Sequence, residues 1–120
     1  MTAARTVRLR RVYETPEDED GTRVLVDRLW PRGLSKADAR IDVWPKDLTP
    51  STELRRWFHG PGQGEFEEFR SRYEAELDGD AARAALAEVR GLAAKGTVTL
   101  LSAVKDLERS HAGVLAERLR

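Results

Sequence analysis

With 120 residues, and with Lys plus Arg and Asp plus Glu both numbering 21, the chain fits one domain around one core and carries no global field that would hold a polyanion. Any affinity for nucleic acid or phosphate must therefore be local. Cysteine is absent, which excludes disulfides, thiolate zinc sites and cysteine nucleophiles and suits a reducing compartment. The apolar runs are too short to cross a bilayer, and MTAARTVRLRR lacks the apolar stretch of a secretion signal. The expectation is a cytoplasmic protein without membrane association, one domain over residues 1–120.

In chain order, VRLRRVY (7–13) alternates, with Val7 and Leu9 on one side and Arg8 and Arg10 on the other, as in an edge strand with one wet face. ETPEDEDG (14–21) is acidic and holds Pro and Gly, which predicts an exposed turn. Val24, Leu25 and Val26 are consecutive branched residues, the pattern of a short strand buried on both faces. Asp27 interrupts it. A carboxylate at the tip of a buried strand needs a partner, and Arg28 and Arg32 are the nearest cations. Pro31 and Gly33 bracket Arg32 and give this cationic loop a defined shape.

Ser35 with Asp38 predicts a short capped helix, and Trp44-Pro45 an extended segment. Thr49-Pro50 predicts a helix start with Pro at its first position, and HGPGQG (59–64) predicts its end. Phe66, Phe69, Tyr73 and Leu77 form one stripe of an amphipathic helix ended by Gly79. Asp80 is then the expected cap of a helix packed through Ala82, Ala85, Leu86, Val89, Leu92 and Ala93. Lys95-Gly96 stops it. TVTLLSAV (97–104) is the second continuous apolar strand, and Ser110 caps a last helix packed through Val114, Leu115 and Leu119. Two strands buried on both faces and separated by helices imply a parallel pair with a long crossover. The fold class is therefore α/β, a small, mostly parallel sheet flanked by helices in a single layered domain.

If strands 23–27 and 97–104 are parallel neighbours, their C-terminal ends share the sheet edge where such folds place ligands. Asp27 and His111 are then the candidate catalytic pair, with His111 as acid or base and Asp27 orienting an arginine. Arg28, Trp30, Arg32, Lys36, Lys105 and Ser110 are the candidate ligand-binding residues, aided by the positive end of the last helix. Each has a structural alternative: Asp27 with Arg28 as an ion pair, Arg32 and Lys36 as solvated loop residues, His111 as a cap, Trp30 as core. His59, the second histidine, falls in a Gly-rich turn. No phosphate loop, dinucleotide fingerprint, nucleophile elbow around Ser102 or histidine pair at metal spacing is visible, so neither a cofactor nor a metal is expected.

The segments RVY, DGTRVLVDRLWPRG, WPKDLTPSTELRRWF, FRSRYEAEL, VTLLSAVKD and HAGVL occur in an order that resembles the domain-of-unknown-function 488 family, in its YeaO-like branch, over nearly the whole chain. The resemblance implies a set of motif positions rather than an activity: Asp27, Arg28, Trp30, Pro31, Arg32 and Gly33; Lys46, Ser51, Glu53, Leu54, Arg55 and Phe58; Arg72 and Tyr73; Lys105, His111 and Ala112. The chain departs from the family where Ser102 replaces the usual Tyr, Ser110 the usual Asn and Phe66 the frequent Trp. More distant relatives carry a cysteine near the last helix, and this chain has none.

Three functional readings follow. The first is binding of an anionic, phosphorylated small molecule at the two strand ends, with catalysis as an extension of it. The second is a nucleic-acid or nucleotide-binding accessory protein using Arg8, Arg10, Arg28, Arg32, Lys36 and Lys46, with Trp30 stacking. The third is a non-catalytic partner-binding module whose charges are surface pairs.

Overall fold

The computed structural model describes residues 6–59 and 65–120. Most of the predicted Gly-rich turn after His59 thus lies outside the described residues. Three strands, β1 (Val7–Arg11), β2 (Thr22–Leu25) and β3 (Val98–Ser102), form a parallel sheet in the order β1-β3-β2. Five α-helices accompany them among the described residues: α1 (Lys36–Ala39), α2 (Thr52–His59), α3 (Phe66–Leu77), α4 (Asp80–Lys95) and α5 (His111–Leu119). The strand latest in sequence is the central one, and all five of its residues are buried.

Register divides the sheet into two faces. Arg8, Thr99 and Arg23 form one row across it, and Leu9, Leu100 and Val24 the next. Because successive side chains of a strand point oppositely, the face of Val7, Val24, Val98 and Leu100 packs on the helices through Leu54, Phe69, Tyr73, Leu86 and Val89. Helix α5 lies against β1 and β3 and is covered in turn by α3 and α4. That sandwiched position explains why its residues 112–116 are all buried. It also requires Gly113, where a Cβ would stand 2.4 Å from the carbonyl oxygen of Glu108 and 2.8 Å from that of Leu107.

The opposite face is half apolar and half ionic. Leu25, Leu101 and Val12 are covered by Trp30, Leu34, Ile41 and Trp44 from the long segment after β2. The other half corrects the expectation of a wet arginine face, and the acidic turn is exposed as expected except at Asp20, which is fully buried. Its carboxylate takes Arg23 at 2.5 Å, Arg10 at 2.9 Å and Arg8 at 3.0 Å, and Thr99 Oγ1 donates to its backbone oxygen at 2.8 Å. Burial pushes the Asp20 carboxyl up, but hydrogen bonds from the Glu17 backbone, Arg10 and Arg23 outweigh it and hold the group below the usual carboxylate range. One shared anion thus bridges cations on two strands that do not pair with each other.

Helix starts differ from expectation by a residue or two. Ser51, not Thr49, covers the start of α2, its Oγ accepting from the Leu54 N–H at 3.1 Å. Thr49 instead closes a 3-10 turn over Lys46–Leu48, so Pro50 precedes the helix. The cap residue of α4 is Gly79, which leaves Asp80 as the first helical residue. Ser35 caps α1 by accepting from the Asp38 N–H, and Ser110 caps α5 by accepting from the Ala112 N–H, both as expected.

Candidate functional site

All three strands run the same way, so their C-terminal ends and the chain leaving them meet at one edge. A hollow of about 610 Å³ opens there, walled by residues 27–32, residues 103–106, the start of α5, and Pro50 with the Arg55, Phe58 and His59 side of α2. Asp27, Arg28, Trp30, Arg32, Lys105, Ser110 and His111 all line it. Lys36 does not. The turn closed by Leu34 N–H to Pro31 O at 3.4 Å, with Gly33 at φ +76°, sends the chain away before α1 begins, and Lys36 is exposed outside the wall.

At the floor, Asp27 is not paired with an arginine. Its Oδ1 accepts from Ser102 Oγ at 2.7 Å and lies 2.8 Å from His111 Nε2, while its Oδ2 accepts from the Ala103 N–H at 2.8 Å. An ionised carboxylate can only accept, so the proton of the His111 bond sits on Nε2. Burial pushes the Asp27 carboxyl up; the hydrogen bond and charge of His111, then the Ala103 N–H and the Ser102 hydroxyl, outweigh it and hold the group low. The carboxylate therefore joins the end of β2 to the end of β3 and the start of α5, and the residue it orients is the imidazole. Ser102, where the resemblance implies a Tyr, supplies one of these bonds.

Five cations stand around this floor: Arg28, Arg32, Arg55, Lys105 and Arg109. Among the described residues none of them has a carboxylate oxygen within 4 Å, whereas Arg8, Arg10, Arg23, Arg70, Arg72 and Arg118 all do. The hollow's own acids are Asp27 and Asp106, and Asp106 caps the turn before α5 by accepting from the Arg109 N–H. Arg28 is the most exposed to cost: its Nε is buried and no acceptor among the described residues reaches it. His59 also lines the wall, and burial together with the charges of His111 and Arg55 pushes its imidazole pKa down. Burial first, and then the neighbouring positive charge, both favour the neutral imidazole.

Two candidates are already engaged. Ser110 Oγ donates to Leu107 O at 2.7 Å while it caps α5, so its proton serves the helix end. Trp30 packs on the second core cluster with its N–H on Leu34 O at 2.6 Å and its ring edge-on to Trp44 at 5.5 Å. Arg8 and Arg10, enlisted in the nucleic-acid reading, are spent on Asp20 and Glu17. Arg55 and Arg109 are in the wall without having been candidates. Arg55 shares α2 with Phe58 and His59 at three- and four-residue steps, a spacing that puts all three on one side. Arg109 directly precedes the cap of α5, and its guanidinium lies 5.1 Å from the Phe66 ring centroid. Among the described residues no group of acidic or imidazole side chains could hold a metal ion, and no helix is long and apolar enough to cross a membrane.

The chain matches, over residues 6–120, the family described as the inactive DUF488-N3 subclade. It is 50% identical to an uncharacterized protein of Mycobacterium tuberculosis over 94% of this chain and 92% of that one. It is 45% identical to the uncharacterized protein YeaO of Escherichia coli over 95% of this chain and 96% of that one. No solved structure matches it.

Proposed function

The chain belongs to the inactive DUF488-N3 subclade, and from that premise we propose that it is a binding protein whose hollow takes an anionic, phosphorylated small molecule without transforming it. The observation that carries this reading is the set of five cations around one hollow, none with a carboxylate partner among the described residues, in a chain whose formal net charge is zero. Five like charges gathered around two acids, Asp27 and Asp106, both already engaged in hydrogen bonds, leave a positive excess there. A phosphate supplies several acceptor oxygens and is bound by guanidinium groups through charge-assisted hydrogen bonds, about twice as strong as neutral ones. The entrance of α5 adds its N-terminal dipole.

Binding without turnover accords with the description of the subclade as inactive and with the lack of cysteine. In this reading Asp27 and His111 set the shape of the floor. The nucleic-acid alternative has lost Arg8 and Arg10, and it predicts a steep loss of affinity with salt, whereas a recessed small-ligand site responds weakly.

The test is thermal unfolding with pyrophosphate. A ligand at a hundred times its Kd stabilises the native state by about 2.7 kcal/mol, so the melting temperature of the unaltered protein rises with concentration. Arg32→Ala and Lys105→Ala, both at exposed positions, should keep the ligand-free melting temperature and lose most of the rise. No rise in the parent protein, or an equal rise in both variants, would end the anion reading.

A further inference from the structure

The cations account for one end of a ligand and leave the rest of the hollow unexplained. Its wall is more apolar than polar, and its volume of about 610 Å³ is in the range of sites for whole small molecules rather than for a single inorganic ion. Leu29 and Tyr13, 66% and 44% exposed, are the large hydrophobic side chains left open on the described surface, and both stand in this wall. Phe58, on the α2 side, adds a further ring.

Two of the rings are held before any ligand arrives. The Tyr13 hydroxyl donates to Arg32 O at 3.1 Å, and the Arg11 guanidinium lies 5.5 Å from its ring centroid. Trp30 is fixed by the Leu34 carbonyl and Trp44. Rings already fixed lose little rotamer freedom on binding, which favours a flat apolar partner. Residues 28–32 moreover interleave cation, Leu, Trp, Pro and cation along one wall, so that groups suited to a phosphate and groups suited to a ring lie on a single segment.

We propose that the ligand is a phosphate monoester carrying a flat ring, of mononucleotide size, with the phosphate on Arg28, Arg32 and Lys105 and the ring against Tyr13, Leu29 and Trp30. This rests on the anion reading and adds the ring to it. The recognition is by stacking and apolar contact, so it tolerates different bases.

Calorimetric titration of the full chain with adenosine 5′-monophosphate, ribose 5-phosphate and adenosine tests it. The monophosphate should bind about tenfold or more tightly than ribose 5-phosphate, the gain expected from one stacked base, and adenosine should bind weakly. Tyr13→Ala should cut that preference severalfold while ribose 5-phosphate affinity stays within about twofold, and Tyr13→Phe, which keeps the ring and loses only its bond to Arg32 O, should keep most of it. Equal affinity for the two phosphates would overturn the ring and leave the anion site standing. Adenosine binding as well as its monophosphate, or no binding by any phosphate, would overturn both.

Discussion

Replacing Asp27 by alanine tests the joint between the two halves of the hollow. The side chain accepts three hydrogen bonds, from Ser102 Oγ, the Ala103 N–H and His111 Nε2, all between 2.7 and 2.8 Å. Bonds to a charged acceptor contribute about 1.5–3 kcal/mol each. The Ser102 hydroxyl can rotate to another acceptor and the site is partly open to water, so we count two bonds at the lower value, about 3 kcal/mol. With a slope of about 1.5 kcal/mol per molar urea, the unfolding midpoint should fall by about 2 M at pH 7. A cycle with His111→Ala should show a coupling of about 1 kcal/mol or more between the two positions.

Acid supplies the second half of this test. Asp27 titrates lower in the folded chain than in the unfolded one, so its contribution is complete above the unfolded carboxylate pKa of about 4 and is lost as pH falls through the lower folded value. The stability gap between the parent protein and Asp27→Ala should therefore narrow in strong acid. A midpoint change equivalent to less than about 1 kcal/mol at pH 7, or a gap that does not narrow, would mean that the carboxylate is solvated and joins nothing.

Three further outcomes follow. Gly113→Ala should destabilise by about 1–3 kcal/mol, since its Cβ would press on Glu108 O; Gly91→Ala, at an exposed α4 position with nothing within 4 Å, should stabilise by about 0.5–1 kcal/mol, and equal effects in denaturant would refute the contrast. Arg28→Met removes a buried N–H that has no acceptor, so the melting temperature of the free protein should rise by an amount corresponding to about 1 kcal/mol while pyrophosphate affinity falls; a lower melting temperature would make Arg28 structural. Since burial and the charges of His111 and Arg55 depress His59, an anion bound beside it should raise its pKa. Sulfate, which does not titrate near neutrality, should then bind more tightly as pH falls from 7 to 6, with the shift visible in the His59 ring resonances.

What the sequence revealed divides along a physical line. Strand β3 and helices α3 and α4 were legible because their apolar spacing is a local property, and two buried strands with intervening helices left little choice but a parallel sheet. Asp20 was misread because ETPEDEDG has the composition of a solvated turn; what buries it is the row of Arg8, Thr99 and Arg23 across the sheet, a consequence of register. Asp27 shows the same limit. Its sequence neighbours Arg28 and Arg32 looked like partners, yet the partners are Ser102, Ala103 and His111, placed there by the pairing of β2 with β3. The hollow itself was anticipated from strand ends, whereas its α2 wall, with Arg55 and His59, depended on how helices fold back.

The position of β3 between β1 and β2 carries a consequence for how the protein comes into being. Translation proceeds at about 5–20 residues per second, and neither of the first two strands pairs with the other. Both must wait, with no strand between them, until residues 98–102 are free to pair, and β2 has meanwhile only its bridge from Val24 to Val43. The basic side chains of β1 and β2 can meet Asp20 before then, a local ionic clasp holding two unpaired edges near each other. A nascent chain stalled before β3 should accordingly be the protease-sensitive, chaperone-bound form, and completion of that one segment should close the sheet in a single cooperative step.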